Sequence, residues 1–250
     1  MHFLENIDWV SKRLPDYTIY FFSFLGFAFL PAYFGRKLWW LVLWFLLVNA
    51  AFFWRGDFLN WRSPVVFILL GQLPWLLFTA DLLFGGRLSG KVAAVPMRQI
   101  LLWQISRLMG LHFFLAIYGG YAPIEFALEI GFSEITTALG AILLFVIYSP
   151  DRKWFQILLI FWNTYGLTAA LSAEYKIFLS NPRIPFAYYS REIFQYATSY
   201  PQSWMYCFWF PLAIGMHATI FYKLYLNRNS GAALSPAEKI GEDGHETTPN

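Results

Sequence analysis

At 250 residues the chain has the length of one soluble domain, yet 58% of it is hydrophobic, 22% aromatic and only 13% charged. Soluble domains carry roughly 45–50% apolar and about 25% charged residues, so a water-soluble fold that hides 27 Phe, 15 Tyr and 12 Trp is excluded. The net charge of +3 arises from basic residues scattered singly between apolar runs, which excludes a nucleic-acid surface, and the single Cys207 excludes an internal disulfide framework or a cysteine-based zinc site.

Residues 1–17 carry Glu5, Asp8, Lys12, Arg13 and Asp16 and no small-residue cleavage site, so they do not read as a secretory signal. Phe3, Leu4, Ile7, Trp9, Val10 and Leu14 suit an interfacial helix instead. A helix needs about 20 apolar residues to cross a hydrocarbon core of roughly 30 Å. Seven runs meet or approach that, near 17–35, 38–54, 64–84, 97–118, 124–148, 154–174 and 204–226. The expected fold class is therefore all-α, a membrane bundle of about seven transmembrane helices forming one domain over 1–226.

Charges, Pro or Gly bound the runs, and the second follows the first closely enough for an antiparallel hairpin. In the third, Pro74 removes the bond to residue 70 and points to a kink. Asp81 reads as an interface residue, and Cys207 in the seventh span as a small buried hydrophobe. Basic residues are more numerous on the side holding Arg36–Lys37, Arg87, Lys91, Arg98, Arg152–Lys153, Lys223, Arg228 and Lys239. The other side holds Lys12–Arg13, Arg55, Arg62, Lys176, Arg183 and Arg191. The positive-inside tendency then puts the N-terminus out and the C-terminus in. Residues 177–203, rich in Pro, Tyr and Phe, read as a long outer connection lying on the membrane surface. Residues 227–250 are polar and read as a disordered cytoplasmic tail, with His245 solvated in it.

An ionisable group at the bilayer centre costs roughly 2.5–3.5 kcal/mol on insertion scales, so each one asks for a partner or a purpose. The fourth span carries Gln104 and Arg107, three apart and on one face; the fifth carries Glu134, the sixth Asn163 and the seventh His217. Four consecutive spans thus offer polar groups at similar depth, candidates for one interior ligand or proton site. A plain structural role competes with that: a buried Arg107–Glu134 ion pair setting helix register, with Asn163 and His217 hydrogen-bonded across helices. As a metal site the chain is weak, since His112, His217 and Glu129 supply ligand types without HxxxH spacing. Glu134 also has a local reading. The run 123–131 could be a short helix that ends at Gly131, with Ser133 capping the next and Glu134 in a dipole-stabilised first turn. A helix broken at depth is also how many transporters build a site.

The stretch Arg107-Leu-Met-Gly-Leu-His-Phe-Phe, then Gly120-x-x-Pro123-x-x-Phe126-Ala127-Leu128-x-x-Gly131-x-x-Glu134, resembles a family of small uncharacterised bacterial integral membrane proteins. Trp162-Asn163-x-x-Gly166-Leu167 and Pro211-Leu-Ala-Ile-Gly-Met-His217 resemble two further stretches of that family, so the likeness covers about 100–226. Ser133–Glu134 stands where the family has Gly-Asp, and Thr168 where a carboxylate is expected. The resemblance implies a bacterial inner-membrane architecture and this choice of residues, without a reaction.

The functional expectation is a membrane protein that binds or transports a small solute or a proton through Arg107, Glu134, Asn163 and His217, with Gln104 beside them. An accessory or assembly subunit without chemistry, and a membrane enzyme acting on a lipid-like substrate, are the alternatives. No cofactor is expected, and an enzyme less than a non-enzyme. The expected partners are the lipid bilayer and a membrane protein, with no nucleic acid.

Overall fold

The computed structural model describes residues 73–84, 94–199 and 205–230, with the isolated positions Leu43, Leu47, Gly90 and Gln202. The leading segment, the first two spans apart from Leu43 and Leu47, the third span up to residue 72, and the tail beyond 230 lie outside the described residues. Pro74 stands in the first turn of the described helix, while residue 70, on which its expected kink turns, is outside them. Within them every regular element is helical: α1 (Leu73–Leu83), α2 (Met97–Gln104), a 3-10 segment (Ile105–Gly110), α3 (Leu111–Tyr118), α4 (Ile124–Val146), α5 (Lys153–Leu179), α6 (Arg191–Thr198), a π-helical turn (Met205–Trp209) and α7 (Phe210–Ser230).

Local chemistry sets the ends of these elements. Pro96 and Pro123 precede α2 and α4, where a missing N–H costs nothing because the first helical donors have no partner anyway. Between α3 and α4 the chain reverses through Gly120, whose φ of 76° is a left-handed conformation that only glycine adopts freely. Ser190 caps α6 by accepting from the Glu192 amide at 3.2 Å. At the start of α7, Pro211 cannot donate to the carbonyl of residue 207 and its ring would crowd it; the wide π turn directly before it accommodates that defect.

Three stretches are long and apolar enough to cross a membrane: Met97–Tyr118, Ile124–Val146 and Lys153–Leu179. Their outward faces are apolar where a soluble protein would be charged. Phe132 and Phe161 are 61% and 71% exposed, and Leu128, Leu139, Leu143 and Ile157 line the same exterior. The polar groups within these stretches, Gln104, Arg107, Glu134 and Asn163, turn into an otherwise apolar interior, as a lipid solvent requires and water does not. α4 packs against the 3-10 segment, α2, α3 and α5, and α7 packs against α5 and α1.

Four sequence expectations need correction. Ile124–Val146 is one continuous helix, not two halves meeting at Gly131. Ser133 caps nothing; its hydroxyl donates back to the Ile130 carbonyl at 2.9 Å, inside the helix. Gly131 serves close packing instead, since a Cβ there would stand 2.9 Å from the Phe114 ring and 3.2 Å from the Gly110 carbonyl oxygen. The irregularity falls one helix earlier, where the expected 97–118 span tightens into 3-10 geometry across Arg107. The third correction concerns 177–203. α5 runs on to Leu179, giving a helix about 40 Å long, and the following loop folds back so that the Tyr188 amide donates to the Leu179 carbonyl at 2.9 Å. α6 then buries Ile193, Phe194, Tyr196 and Ala197 against the bundle, so this segment packs into the protein and does not merely lie on a membrane surface. Residues 227–230, expected in the tail, complete the last turn of α7.

Candidate functional site

The four polar side chains expected at depth converge. Arg107 and Glu134 are each 1% exposed, and Asn163 and His217 are fully buried. The Arg107 fork engages the carboxylate with both arms: Nε donates to Glu134 Oε2 at 2.8 Å and Nη2 to Oε1 at 2.5 Å. Its third nitrogen, Nη1, meets His217 Nε2 at 2.6 Å and donates to the Gly166 carbonyl oxygen at 3.3 Å. One guanidinium thus joins the 3-10 segment to α4, α5 and α7.

The imidazole tautomer follows from donor arithmetic. Arginine has only donors, so His217 Nε2 must be the acceptor, and Nδ1 carries the proton. That proton faces Asn163 Oδ1 at 2.7 Å, and Asn163 Nδ2 in turn donates to the His217 carbonyl at 3.0 Å. Asn163 therefore fixes both the ring's orientation and its hydrogen. The Glu134 charge holds the arginine, the arginine selects the tautomer, and Asn163 reads the other face of the ring.

Two kinds of residue complete the site and were not singled out as functional from sequence. Trp162 donates its indole N–H to the Thr137 carbonyl at 2.8 Å and sets its ring 5.6 Å from His217. Glycines let the helices approach closely enough for these contacts. At Gly140 a Cβ would strike the Trp162 indole; at Gly166 it would meet His217 and lie 2.9 Å from Thr137 Cγ2. Small residues at helix contacts are the general means of close approach in membranes. The signal was present in the Trp162-Asn163-x-x-Gly166 pattern, which joins the ring, the amide and the gap in one turn. Replacing Gly166 by alanine is expected to push the imidazole off Arg107 and lower stability by about 1–2 kcal/mol. Reversible unfolding in mixed micelles would measure that, and an unchanged midpoint would show that the ring has room to move.

Other candidates stand apart from this centre. Gln104 is fully buried and three residues from Arg107, but it makes no hydrogen bond within the cluster. His112 pairs through Nε2 with the Tyr196 hydroxyl at 3.0 Å, and Glu129 forms an ion pair with Lys176 and accepts from Ser172 at 3.4 Å. The metal candidates His112, His217 and Glu129 therefore serve three separate networks, and among the described residues no three His, Cys, Asp or Glu groups gather to hold an ion. Thr168 is exposed, so the carboxylate that the resemblance would put there is no loss to this site.

These features define an all-helical protein with three described helices able to cross a bilayer and a charged, hydrogen-bonded cluster enclosed between four of its helical segments. The chain matches the model of one family, the domain of unknown function DUF8737, over residues 63–225, and it belongs to that family. All four members of the cluster lie inside the matched region. No curated protein and no solved structure matches the chain.

Proposed function

We propose that the chain is a multi-pass inner-membrane protein of about seven spans, N-terminus out and C-terminus in, that binds or moves a small solute or a proton at the Arg107–Glu134–Asn163–His217 cluster. The observation that carries this reading is the enclosure of an arginine, a carboxylate and an imidazole in one connected network drawn from four helical segments. Intramembrane ionisable groups cluster where solutes, ions or protons pass. Glu134 is the exchanging group. Taking up a proton cancels its charge and frees the Arg107 fork, whose two parallel donors suit an incoming anion. His217 and Asn163 keep the third nitrogen of the fork oriented while that happens.

In proteoliposomes, Glu134→Gln is expected to abolish solute-dependent proton or ion flux while expression and monodispersity stay intact. Glu134→Asp, which keeps the charge, is expected to restore part of the flux. Unchanged flux in Glu134→Gln would sink the assignment.

One observation favours a second reading, an accessory or assembly subunit without chemistry. Arg107, Glu134, Asn163 and His217 satisfy one another, as members of a purely structural clasp would. The exposed aromatic residues Phe186, Tyr188 and Tyr175 would then be partner or lipid contacts. Recovery of the monomer alone from mild detergent, under several conditions, would count against that reading.

A further inference from the structure

One turn of the Met97–Tyr118 helix holds polar atoms that nothing else in the described chain answers. The Trp103 indole nitrogen, both amide atoms of Gln104 and the Ser106 hydroxyl are enclosed, and among the described residues none has a hydrogen-bond partner. Gln104 is fully buried and Trp103 nearly so. Trp103 and Ser106 are three apart, as are Gln104 and Arg107, so the unanswered atoms line adjoining faces of the turn next to the ion pair.

Buried polar groups are nearly always paired, and hydrocarbon offers no substitute for a missing partner. Where protein groups do not serve them, an enclosed water or a ligand does. The set offers an indole donor, a carboxamide with donor and acceptor, and a hydroxyl able to be either. That is the two to four partners one small enclosed molecule takes. The neighbourhood is also irregular in the way functional sites tend to be. Trp103 stacks at 5.7 Å on Trp209, the last residue of the π-helical turn, and the helix itself tightens to 3-10 geometry directly after Gln104.

We infer that Gln104, with Trp103 and Ser106, holds a small neutral hydrogen-bonding guest beside the Arg107–Glu134 pair: resident water, or a solute carrying donor and acceptor together. This rests on reading the cluster as a binding or proton site. It gives that site a second compartment, one turn from Arg107, through which a proton or solute would reach the carboxylate that Arg107 holds.

Two measurements test it without a flux assay, so a negative flux result leaves them standing. The first is the thermal midpoint of Gln104→Met, which removes the amide and keeps the volume. With a guest in place the substitution is expected to lower the midpoint or leave it unchanged. If the amide has no partner, removing it raises the midpoint by about 5 °C, and that rise overturns the inference. The second needs no variant: X-ray hydroxyl-radical footprinting of exhaustively washed wild-type proteoliposomes, since radicals born from internal water mark the side chains beside it. Trp103 is expected to be labelled several-fold above Trp162, whose indole N–H is already held by Thr137, and to lose that label in Gln104→Met. Such labelling identifies the guest as water. An unlabelled Trp103, with a small molecule released on denaturing the wild type but not Gln104→Met, identifies a solute. The absence of both label and released molecule overturns the inference, whether the midpoint falls or stays, because packing then accounts for any loss.

Discussion

Replacing Glu134 by leucine is expected to lower the unfolding free energy by roughly 3–5 kcal/mol, the cost of leaving one member of a buried ion pair alone. The effect should be asymmetric. A guanidinium cannot shed its proton, so Glu134→Leu strands a permanent charge. Arg107→Met strands a carboxyl group, which can neutralise itself by protonation, and is expected to cost less. The double variant Arg107→Met with Glu134→Leu should recover most of the loss, because apolar pairs of similar volume often replace buried ion pairs at little penalty. It should still fall short of the wild type, since His217 Nε2 and the Gly166 carbonyl would lose their donor. Interhelical hydrogen bonds of that kind are worth about 0.6 kcal/mol on average in membranes. A double-mutant cycle in reversible mixed-micelle unfolding gives the coupling directly. Strictly additive losses would show that the two residues do not act as a pair.

The membership of the cluster was legible in the sequence, because an ionisable or amide side chain in an apolar run stands out wherever it lies. Arg107, Glu134, Asn163 and His217 each sit near the middle of such a run, and hydrocarbon leaves polar groups little choice but to meet. Their arrangement was not legible. Which imidazole nitrogen faces Arg107, and that Asn163 binds the other, depends on helix rotation and crossing distance, which periodicity does not report. The glycines misled for a related reason. A glycine in a span reads equally as a break or as a close contact. Gly131, expected to divide its helix, lies against Phe114 within an unbroken one. The 3-10 tightening across Arg107 has no compositional mark, since Ile105–Gly110 contains no proline. Gln104 was visible as a polar residue at depth, whereas its lack of a partner among the described residues is a property of packing alone.

That arrangement bears on how the site could work. A saturated network resists partial change, because moving Arg107 away from Glu134 also disturbs the imidazole and, through it, Asn163. Such a unit switches between discrete states and does not drift, which suits a gate and equally suits a clasp. The two readings differ in what happens after Glu134 gains a proton. A gate then offers Arg107 to a second anion, while a clasp only weakens. Flux through Glu134→Gln separates them because it removes the charge and keeps an oxygen for Arg107 to bind.

Gly110→Ala tests the same machinery without altering any charge. A Cβ at residue 110 would stand 2.6 Å from Glu134 Cβ and 2.9 Å from the Gly131 carbonyl oxygen. Neither neighbour can turn aside, since one is fixed to the α4 backbone and the other belongs to it. At Gly131 the nearest contact is the end of the Phe114 ring, which can rotate, and the backbone contact, the Gly110 carbonyl oxygen, is looser at 3.2 Å, so Gly131→Ala should cost less. The helix carrying Gly110 must therefore move away from α4, and Arg107, three residues earlier in the same 3-10 segment, must move with it. Overpacking of this kind costs typically 1–3 kcal/mol, and here the ion pair is stretched as well, so about 3 kcal/mol is expected. The loss should be sub-additive with Glu134→Leu, because a pair already removed cannot be stretched. Mixed-micelle unfolding of Gly110→Ala, Glu134→Leu and their combination checks both statements. If Gly110→Ala is neutral, the two helices have slack between them, and the ion pair is not held in place by their close approach.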